Sequence, residues 1–400
     1  MEKIMSLKVL IADQFPDKYI KKLEEQGLEV SYQPKLGEND IPGAAKDVDI
    51  IVVRSTKVNE EAINSAEKLN LIIRAGAGVN NINIAAANKK GVYVTNCPGK
   101  NSIAVAELAV GLMVAIDRKI PDNVADFRNG VWNKGLYSKA QGIHGKNLGI
   151  IGFGNIGKEV AARAIAFGMN VYAKDISRVE GYGVKEFSEM EKILPILDII
   201  TIHLPLTDGT KKLFNRDMFK LMKPNSILIN TSRAEVIDED ALLEAIEEKN
   251  IFCGLDVFTG EPEGKTGEVS SKLMNNKNIY ITHHIGASTE QAQDAVAEET
   301  VNIIKGYINS GVIAHWVNKA RWEESHYQLV VKHYDKPGVI ASILNVMKKD
   351  DVNIEEVENE IFAGGLVAKC TIKLKQPLSH GTLEEIRNIP EIINLSHVEV

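Results

Sequence analysis

A glycine-rich turn between an apolar run and a helical stretch is the feature that most limits what this chain can fold into. The turn is Gly152-Phe153-Gly154-Asn155-Ile156-Gly157, and it joins the run Leu148–Ile151 to the apolar-periodic stretch Ile156–Phe167. A strand, a tight turn and a helix in this order is the context in which G-x-G-x-x-G binds a dinucleotide. The first glycine permits the turn, the second lets the backbone approach a pyrophosphate, and the third lets helix and strand pack closely.

An acidic residue after the next strand indicates which dinucleotide fits. The strand Asn170–Lys174 ends at Asp175, roughly 20 residues past the last glycine, where a carboxylate accepts hydrogen bonds from the adenosine ribose and repels a 2′-phosphate. The sequence therefore predicts NAD as the cofactor. The alternative is a glycine turn at a tight helix–strand contact, with Asp175 as a solvated loop residue.

Composition limits the number of domains and the kind of partner. A chain of 400 residues with 44% hydrophobic residues suits two or three domains with full cores. The net charge of −7 gives no sign of a nucleic-acid partner, so an anionic substrate would need local basic residues. The three distant cysteines, Cys97, Cys253 and Cys370, favour neither disulfides nor a metal site but a reducing compartment, the cytoplasm. No signal-peptide core or membrane-spanning run is evident.

Short apolar strands alternate with helical stretches, which predicts parallel, doubly wound sheets. The strands expected before the glycine turn are Val9–Ala12, Ile50–Val53, Leu71–Ile73 and Val92–Thr95. Those expected after Asp175 are Ile199–His203, Ser226–Asn230 and Ile279–Thr282. Because a complete α/β unit precedes the glycine turn, we expect two such domains: residues 1–97 with 288–318, and residues 98–287. The helix Glu290–Tyr307 is long enough to return to the first of them.

The pattern changes over residues 326–400, which we expect to form a third domain. The elements there are strand Gln328–His333, helix Val339–Lys349, strands Val352–Glu358 and Leu366–Leu374, helix Leu383–Arg387 and strand Ile393–Glu399. This βαββαβ order predicts a small split α/β sandwich of the ferredoxin-like type. The polar segment Lys319–Ser325 is the predicted linker.

Three chemically active side chains follow strands of the predicted second sheet. Arg233 follows the strand Ser226–Asn230, His284 follows Ile279–Thr282, and Glu261 lies between them. Parallel sheets bind ligands at the carboxyl ends of their strands. A guanidinium can hold a carboxylate in two hydrogen bonds, and an imidazole beside a carboxylate can accept a proton. With a dinucleotide these groups suit the oxidation of a secondary alcohol, although each alone fits equally a surface ion pair or a packed histidine.

At these residues the chain resembles the D-isomer-specific 2-hydroxyacid dehydrogenases, over roughly residues 5–320. The resemblance rests on Asn-Thr-Ser-Arg-Ala-Glu-Val-Ile-Asp-Glu around Arg233, Asp-Val-Phe-Thr-Gly-Glu-Pro around Glu261, and His-Ile-Gly-Ala at His284. It implies a flavodoxin-like substrate domain, a Rossmann NAD domain, and Arg233, Glu261 and His284 as catalytic residues. It also implies that the cofactor contacts a wider set: Asn155, Ile156, Asp175, His203, Leu204, Pro205, Thr231, Ser232, Arg233, Asp256, His284, Gly286 and Ala287.

One position departs from the family pattern. The family usually has a proline before the catalytic histidine, and this chain has His283 there. The following Ile285-Gly286-Ala287 selects His284 as the catalytic residue. His283 either supports its neighbour or has only a structural role.

Two arginines after strands of the first domain indicate the substrate. Arg54 follows Ile50–Val53, and Arg74 follows Leu71–Ile73. Two guanidiniums aimed at one crevice suit a doubly charged phosphate better than a lone carboxylate, and the turn Gly76-Ala77-Gly78 can offer backbone N–H groups to the carboxylate. A pair of surface salt bridges is the alternative.

The resemblance extends the substrate site and implies a reaction. It adds Asn101, in a crossover segment, and Lys134, which would reach the substrate of a neighbouring subunit. The implied reaction is NAD-dependent oxidation of D-3-phosphoglycerate to 3-phosphohydroxypyruvate. One alternative is a reductase of glyoxylate, hydroxypyruvate or 2-oxoglutarate, and another is a non-catalytic NAD sensor that binds a partner protein.

The tail resembles ACT regulatory domains. The resemblance rests on its βαββαβ order and on His333-Tyr334-Asp335-Lys336-Pro337-Gly338 at the first strand–helix turn. Such domains bind small effectors, often amino acids, where two of them pair, which implies a homodimer or homotetramer. By resemblance His333, Asp335 and Asn353 would hold the effector, with Asp335 where serine-inhibited relatives have Asn. A module for dimerisation alone is the alternative.

Overall fold

The strands in the described part of the chain lie in three separate sheets. A computed structural model describes residues 6–181, 183–262, 266–320 and 327–399. The chain divides into two compact units, Met1–Asn318 and Lys319–Val400. Within the described residues, two sheets belong to the first unit and one to the second.

The first sheet has five parallel strands in the order β2-β1-β3-β4-β5, the flavodoxin-like arrangement. Its strands are β1 (Lys8–Ile11), β2 (Glu29–Tyr32), β3 (Ile50–Val53), β4 (Leu71–Arg74) and β5 (Tyr93–Asn96). Its connecting helices are α1 (Asp17–Glu24), α2 (Ile41–Ala44), α3 (Glu60–Ser65) and α4 (Ile84–Lys90). Ile50 and Val52 of β3 point into one hydrophobic core, and Ile51 and Val53 point into another. Both faces of the sheet are thus covered, which explains its unbroken apolar strands.

The second sheet is also parallel, with the order β12-β11-β10-β9-β6-β7-β8, which is the Rossmann arrangement with one added strand. Its strands are β6 (Asn147–Ile151), β7 (Asn170–Lys174), β8 (Lys185–Glu186), β9 (Ile199–Ile202), β10 (Ile227–Asn230), β11 (Phe252–Leu255) and β12 (Ile279–Ile281). The helices from α5 onward are α5 (Ser102–Arg118), α6 (Ile120–Arg128), α7 (Lys134–Tyr137), α8 (Asn155–Ala166), α9 (Met190–Ile193), α10 (Arg216–Leu221), α11 (Glu239–Lys249) and α12 (Glu290–Ser310).

Helix α12 follows the second sheet in sequence but packs on the first. Its residues Val296, Val301 and Ile304 share a core with Val9 of β1 and Leu71 of β4. The segment after α12 then covers the outer edge of β5. The division of the first unit into 1–97 with 288–318 and 98–287, and the start of the last domain at 326, stay predictions.

The contacts on β5 close one edge of the first sheet. Val317 donates its backbone N–H to the carbonyl of Val94 at 2.8 Å. The Asn318 amide accepts from Val94 N at 2.8 Å and donates to the carbonyl of Val92 at 3.0 Å. The rings of Tyr93 and Trp316 meet edge to face at 4.9 Å. Residues 315–318, which we call the edge segment, thus act as a sixth, irregular strand.

The second unit has the predicted βαββαβ order. Its elements are β13 (Tyr327–Tyr334), α13 (Val339–Met347), β14 (Ile354–Ile361), β15 (Val367–Leu374), α14 (His380–Arg387) and β16 (Ile392–Glu399). The antiparallel sheet has the order β14-β15-β13-β16. The predicted α/β class with a small third sheet is therefore confirmed. Of the predicted linker Lys319–Ser325, residues 321–325 lie outside the described residues. Among the described helices, none is long and apolar enough to cross a bilayer.

Candidate active site

The glycine turn has the shape that a pyrophosphate requires. Gly152 has a φ of +96°, and a Cβ placed on it would lie 2.5 Å from the carbonyl oxygen of His203. A Cβ on Gly157 would collide with the carbonyl of Gly152. By contrast, a Cβ on Gly154 would meet nothing within 4 Å. Packing thus requires the first and third glycines, while the second faces open space at the start of α8, where no side chain caps the helix.

Asp175 lies against this turn. Its Oδ2 accepts a hydrogen bond from the backbone N–H of Phe153 at 2.6 Å, and its Oδ1 accepts from Ser177 N at 3.1 Å. The neighbouring Ile176 is fully exposed. A carboxylate and an apolar surface therefore adjoin the glycine turn, as an adenosine would need.

Several buried polar atoms that follow strands of the second sheet or lie at the N-cap of α5 have no partner within the described residues. They are Nδ1 of His203, Oγ1 of Thr231 and Oδ1 of Asn101. Burial lowers the pKa of His203 to about 3, so this ring is neutral at physiological pH. Buried polar atoms are normally hydrogen-bonded, so these three atoms fit a site that holds a polar ligand. The residues present are thus suited to a dinucleotide.

The sequence-predicted residues of the second sheet lie at the carboxyl ends of its adjoining strands. They are His203, Leu204 and Pro205 after β9, Thr231, Ser232 and Arg233 after β10, Asp256 and Glu261 after β11, and His284, Gly286 and Ala287 after β12. Gly152, Gly154, Asn155, Ile156 and Gly157 follow β6, and Asp175 follows β7. The strand order places all of them along one edge of the sheet.

His284 and Glu261 form a directly bonded pair. His284 Nδ1 donates to Glu261 Oε2 at 2.7 Å, and Glu261 Oε1 accepts from Phe258 N at 3.0 Å. The His284 side chain is 55% exposed and that of Glu261 27%. The hydrogen bond to Glu261 outweighs burial and raises the pKa of His284. Burial acts to raise the pKa of Glu261, but the hydrogen bond from His284 and its charge bring this pKa below its usual value. Nε2 of the ring is left to exchange a proton with a ligand.

Asp256 holds the backbone around His284. This buried carboxylate accepts hydrogen bonds from Thr282 Oγ1, from Ile285 N at 2.9 Å and from Gly286 N at 2.8 Å. His284 itself has a φ of +50°, a region that non-glycine residues rarely adopt. The sequence assigned Asp256 only to the cofactor and missed this bracing of the histidine loop.

Three guanidiniums come together across the two sheets of the first unit. Arg74 Nε donates to the carbonyl of Arg54 at 3.1 Å, and Arg54 Nη2 lies 3.5 Å from Ser288 Oγ in the loop after His284. Arg233 Nη1 donates to Ser232 O at 2.7 Å. Burial and then the charges of Arg233 and Arg54 lower the pKa of Arg74 to about 10. The hydrogen bonds that these guanidiniums make within the described residues go to uncharged oxygens, so their charges are available to an anion.

The Gly76-Ala77-Gly78 turn lies between these arginines. A Cβ on Gly76 would overlap the Arg74 guanidinium, and a Cβ on Gly78 would overlap that of Arg233. The turn therefore brings backbone groups to the place where the guanidiniums meet.

Two bracing residues escaped the sequence analysis. Asp13 Oδ2 accepts from the backbone N–H groups of Arg54, Ser55 and Thr56 at 2.7–3.0 Å. Asn230 similarly bonds Ser232 N at 3.0 Å and the carbonyl of Arg233 at 2.8 Å. Each follows or ends a strand and so could have been suspected, but Asp and Asn at strand ends also serve many unrelated turns.

Three further residues were predicted from the sequence to lie at or near the site: Asn101, Lys134 and His283. Asn101 is the N-cap of α5, and Lys134 begins the short helix α7 with an exposed side chain. No contact described here joins Lys134 to the three arginines, so its role toward a neighbouring subunit stays a prediction. His283 is exposed beside His284.

The second unit separates the residues predicted to bind an effector. His333 is 1% exposed and points into the core, with Nδ1 at 2.8 Å from Tyr334 O and Nε2 at 3.2 Å from Asn359 Oδ1. Asp335 and Asn353 are exposed. Residue 353 adjoins the start of β14, at the opposite end of the sheet from His333, as the strand register shows. One chain therefore cannot bring all three side chains together.

Comparisons with known proteins agree with this site. Residues 110–286 match the family described as D-isomer specific 2-hydroxyacid dehydrogenase, NAD binding domain. A D-3-phosphoglycerate dehydrogenase of Methanocaldococcus jannaschii is 37% identical over 390 residues, which cover 95% of this chain and 72% of that protein. A hydroxypyruvate reductase of Thermotoga maritima is 40% identical over 284 residues, covering 70% of this chain and 92% of that protein.

A solved structure extends the likeness to three dimensions. It is the NAD⁺-bound 3-phosphoglycerate dehydrogenase of Entamoeba histolytica, with a TM-score of 0.67 and 30% sequence identity. The match covers 79% of this chain and 100% of that chain. Together with the glycine turn and the His284–Glu261 pair, these similarities establish an NAD-dependent oxidoreductase. This chain belongs to the family of D-isomer specific 2-hydroxyacid dehydrogenases.

Proposed function

We propose that this protein oxidises D-3-phosphoglycerate to 3-phosphohydroxypyruvate with NAD, the first step of L-serine biosynthesis. The observation that carries the proposal is the meeting of Arg54, Arg74 and Arg233 near the His284–Glu261 pair. A 2-hydroxyacid needs one cation for its carboxylate. Three cations suit a substrate with a second, more highly charged group.

The charges of the proposed substrate match this cluster. A phosphate monoester carries about −1.5 to −2 at neutral pH, and the carboxylate adds a further negative charge. Arg54 follows β3 and Arg74 ends β4 of the first sheet, whereas Arg233 follows β10 of the second, close enough for its charge to act on His284. We therefore assign the phosphate to Arg54 and Arg74, and the carboxylate and reacting oxygen to Arg233. The Gly76-Ala77-Gly78 turn offers backbone N–H groups between them.

The His284–Glu261 pair performs the proton transfer. In the oxidation, Nε2 of neutral His284 accepts the proton of the C2 hydroxyl, and Glu261 stabilises the imidazolium that results. Arg233 polarises the oxygen as it becomes a carbonyl. The glycine turn and Asp175 would hold NAD, and bound NAD would accept the hydride that leaves C2 as its C–H bond breaks. Asp256 keeps the backbone of His284 in its left-handed conformation throughout.

The relatives name two candidate substrates. The Methanocaldococcus jannaschii relative is called D-3-phosphoglycerate dehydrogenase and matches 95% of this chain, including the second unit. The Thermotoga maritima relative is called hydroxypyruvate reductase and matches 70%. Reduction of hydroxypyruvate is therefore the second candidate, but its substrate lacks a phosphate to occupy Arg54 and Arg74. A non-catalytic NAD sensor is the third, and turnover of any 2-hydroxyacid would exclude it.

A comparison of kcat/KM for phosphoglycerate oxidation and hydroxypyruvate reduction tests the proposal. Arg54→Ala should raise KM for phosphoglycerate roughly 10- to 150-fold, because a hydrogen bond to a charged group contributes about 1.5–3 kcal/mol. Hydroxypyruvate reduction should change much less. Arg54 is the better target because Arg74 is largely buried, so the loss of Arg74 would also disturb packing.

The matched control is Arg216→Ala, which removes an exposed arginine of α10 that pairs with Glu244 of α11 and makes no bond to the cluster within the described residues. It should leave both reactions unchanged. Equal losses on the two substrates in Arg54→Ala would contradict the phosphate assignment, and a wild type that prefers hydroxypyruvate would replace the proposed function by the second candidate.

We also propose that the second unit pairs with that of another copy and binds a small effector between them. The support is the separation of His333 from Asn353 at opposite ends of one sheet, which only a second copy can bridge. Sedimentation with and without L-serine tests the pairing. In the structure His333 is turned inward, so an effector that uses its ring would have to replace the bond to Asn359.

A further inference from the structure

A buried carboxylate outside the site described above joins three segments of the first unit. Glu299 of α12 accepts hydrogen bonds from Lys100 Nζ at 2.9 Å and from His315 Nε2 at 2.8 Å, and its side chain is only 13% exposed. Lys100 belongs to the crossover, residues 97–102, that runs from β5 to α5. His315 begins the edge segment that covers β5. One side chain therefore ties the crossover and the edge segment to the same helix.

The crossover supports the substrate turn. The N–H of Cys97 donates to the carbonyl of Gly76 at 2.9 Å. The amide of Asn96, just before the crossover, donates to the carbonyl of Ala77. The turn of Gly76, Ala77 and Gly78 in turn packs against the Arg74 and Arg233 guanidiniums. A displacement of the crossover would thus move the backbone that separates these two cations.

Helix α12 connects the same cluster to the histidine loop. It begins at Glu290, directly after the loop that holds His284 and Ser288, and the Cys97 thiol contacts its Val296 carbonyl at 3.6 Å. Because α12 is a continuous helix of 21 residues, Glu299 fixes the crossover relative to the loop that Arg54 reaches through Ser288.

The charge of Glu299 is secured by its partners. Burial acts to raise its pKa, but the hydrogen bonds from Lys100 and His315 outweigh burial and bring the pKa below its usual value. A neutral amide in its place would offer one acceptor oxygen to two donors, and its NH₂ group would face one of them. The side chains of Lys100 and His315 are 40% and 36% exposed, so water would replace the weaker of the two bonds, and the segment that loses its bond would be held less firmly.

We propose that Glu299 is a positioning residue for substrate binding, which holds the crossover and the edge segment so that the Gly76-Ala77-Gly78 turn keeps Arg74 and Arg233 at the spacing of the substrate. This inference rests on the proposed function of the same site. It concerns first the binding of the hydroxyacid, because Asn96 and Cys97 bond the carbonyls of the substrate turn. The crossover also lies beside the glycine turn, since a Cβ on Gly99 would be 3.0 Å from Asn155 Nδ2.

Glu299→Gln in the full-length protein tests the proposal. KM for phosphoglycerate should rise about tenfold with a smaller change in kcat, because misplacement of binding groups by a fraction of an ångström weakens their joint hold on the substrate. The Kd of NAD, measured by fluorescence titration, should rise less than KM, because the crossover bonds the substrate turn directly and meets the glycine turn through the contact of Gly99 with Asn155. A purely structural role would instead lower NAD affinity, kcat and thermal stability together.

Asp294→Asn is the matched control on the same helix. Asp294 pairs with Lys18 at 2.5 Å, but both side chains are about half exposed and the pair joins α12 to α1 instead of the crossover. It should leave KM unchanged. If Glu299→Gln does not fold, Lys100→Met and His315→Gln each remove one partner and should give part of the effect on KM.

The proposal is overturned if Glu299→Gln has the same KM as Asp294→Asn. It is also overturned if the Kd of NAD rises by the same factor as KM. The substrate preference of the wild-type protein distinguishes this result from failure of the proposed function. If hydroxypyruvate proves to be the better substrate, the function fails, while the KM of that substrate still reports on Glu299.

Discussion

Gly154→Ala should weaken NAD binding without unfolding the protein. The Cβ of the new alanine would meet no atom of the protein within 4 Å, and Gly154 has φ −73° and ψ −157°, which any residue adopts. Its methyl group would instead enter the space above the N-terminus of α8, where we place the pyrophosphate. Losing one hydrogen bond to a charged group costs about 1.5–3 kcal/mol, which raises Kd roughly 10- to 150-fold. The free energy of unfolding should change by less than about 1 kcal/mol, the scale of a helix-cap substitution.

Substitutions of Gly152 and Gly111 should affect stability and NAD binding differently from Gly154→Ala. Gly152→Ala would force an alanine into φ +96° and within 2.5 Å of His203 O. Strain and overpacking together cost about 2–4 kcal/mol, so the melting temperature should fall by roughly 4–16 °C. Gly111→Ala, on α5 with open space around it, should change neither property for the worse. NAD titration by fluorescence and unfolding by calorimetry give both quantities. Wild-type NAD affinity in Gly154→Ala would refute the placement of the pyrophosphate.

Four further predictions follow from the site and the second unit. His284→Ala should cut turnover by about 10²–10⁴ while NAD still binds, and His283→Ala should be far milder; steady-state rates showing the reverse would exchange the two assignments. Glu261→Gln replaces the charged acceptor that raises the pKa of His284 by a neutral one. Oxidation needs the neutral ring, so the acidic limb of its kcat/KM–pH profile should move to lower pH; an unmoved limb would contradict the pairing. Asp175→Ala should weaken NAD and improve NADP use, measured as the ratio of kcat/KM values, and a wild type preferring NADP would disprove the role. Asp335→Asn should bind L-serine more tightly in calorimetric titration, because an amide donates to a carboxylate where Asp335 repels it; weaker binding would show that Asp335 assists.

The apolar strands could be predicted from sequence, whereas several polar or short elements could not. Strand β3 was placed correctly because both its faces are buried and its four residues are all β-branched. Strand β2, Glu-Val-Ser-Tyr, is an edge strand with mostly exposed side chains, so it carries no apolar run. In β11, Gly254 interrupts the run because a Cβ there would press on Ile229 and Leu112. Helix α6 has no fully buried residue. Its sequence therefore lacks the apolar periodicity by which a helix is predicted.

In the candidate active site, too, some features could be predicted from the sequence and others could not. The positions of Arg233, Glu261 and His284 were predictable because each follows a strand, and parallel strands end at one edge of a sheet. The bracing by Asp256 was not, because it depends on backbone N–H groups of a loop whose course only the folded chain fixes. His333 was expected at a binding surface, but it alternates with the buried Leu329 and Val331 on β13 and so points inward. The alternation of inward and outward side chains along this strand already indicated that His333 points inward.

The edge segment has a consequence for how the chain is made. An uncovered strand edge is a template for pairing with other chains. Trp316, Val317 and Asn318 cover β5, and Asn318 is 224 residues away from its partner Val94 in sequence. At about 5–20 residues per second, synthesis leaves this edge bare for roughly 10–45 s. The other edge strand, β2, carries Glu29 and Ser31, which discourage such pairing. During translation the nascent chain is therefore most open to aggregation along β5, and chaperones that hold extended segments would act there until residues 315–318 have left the ribosome.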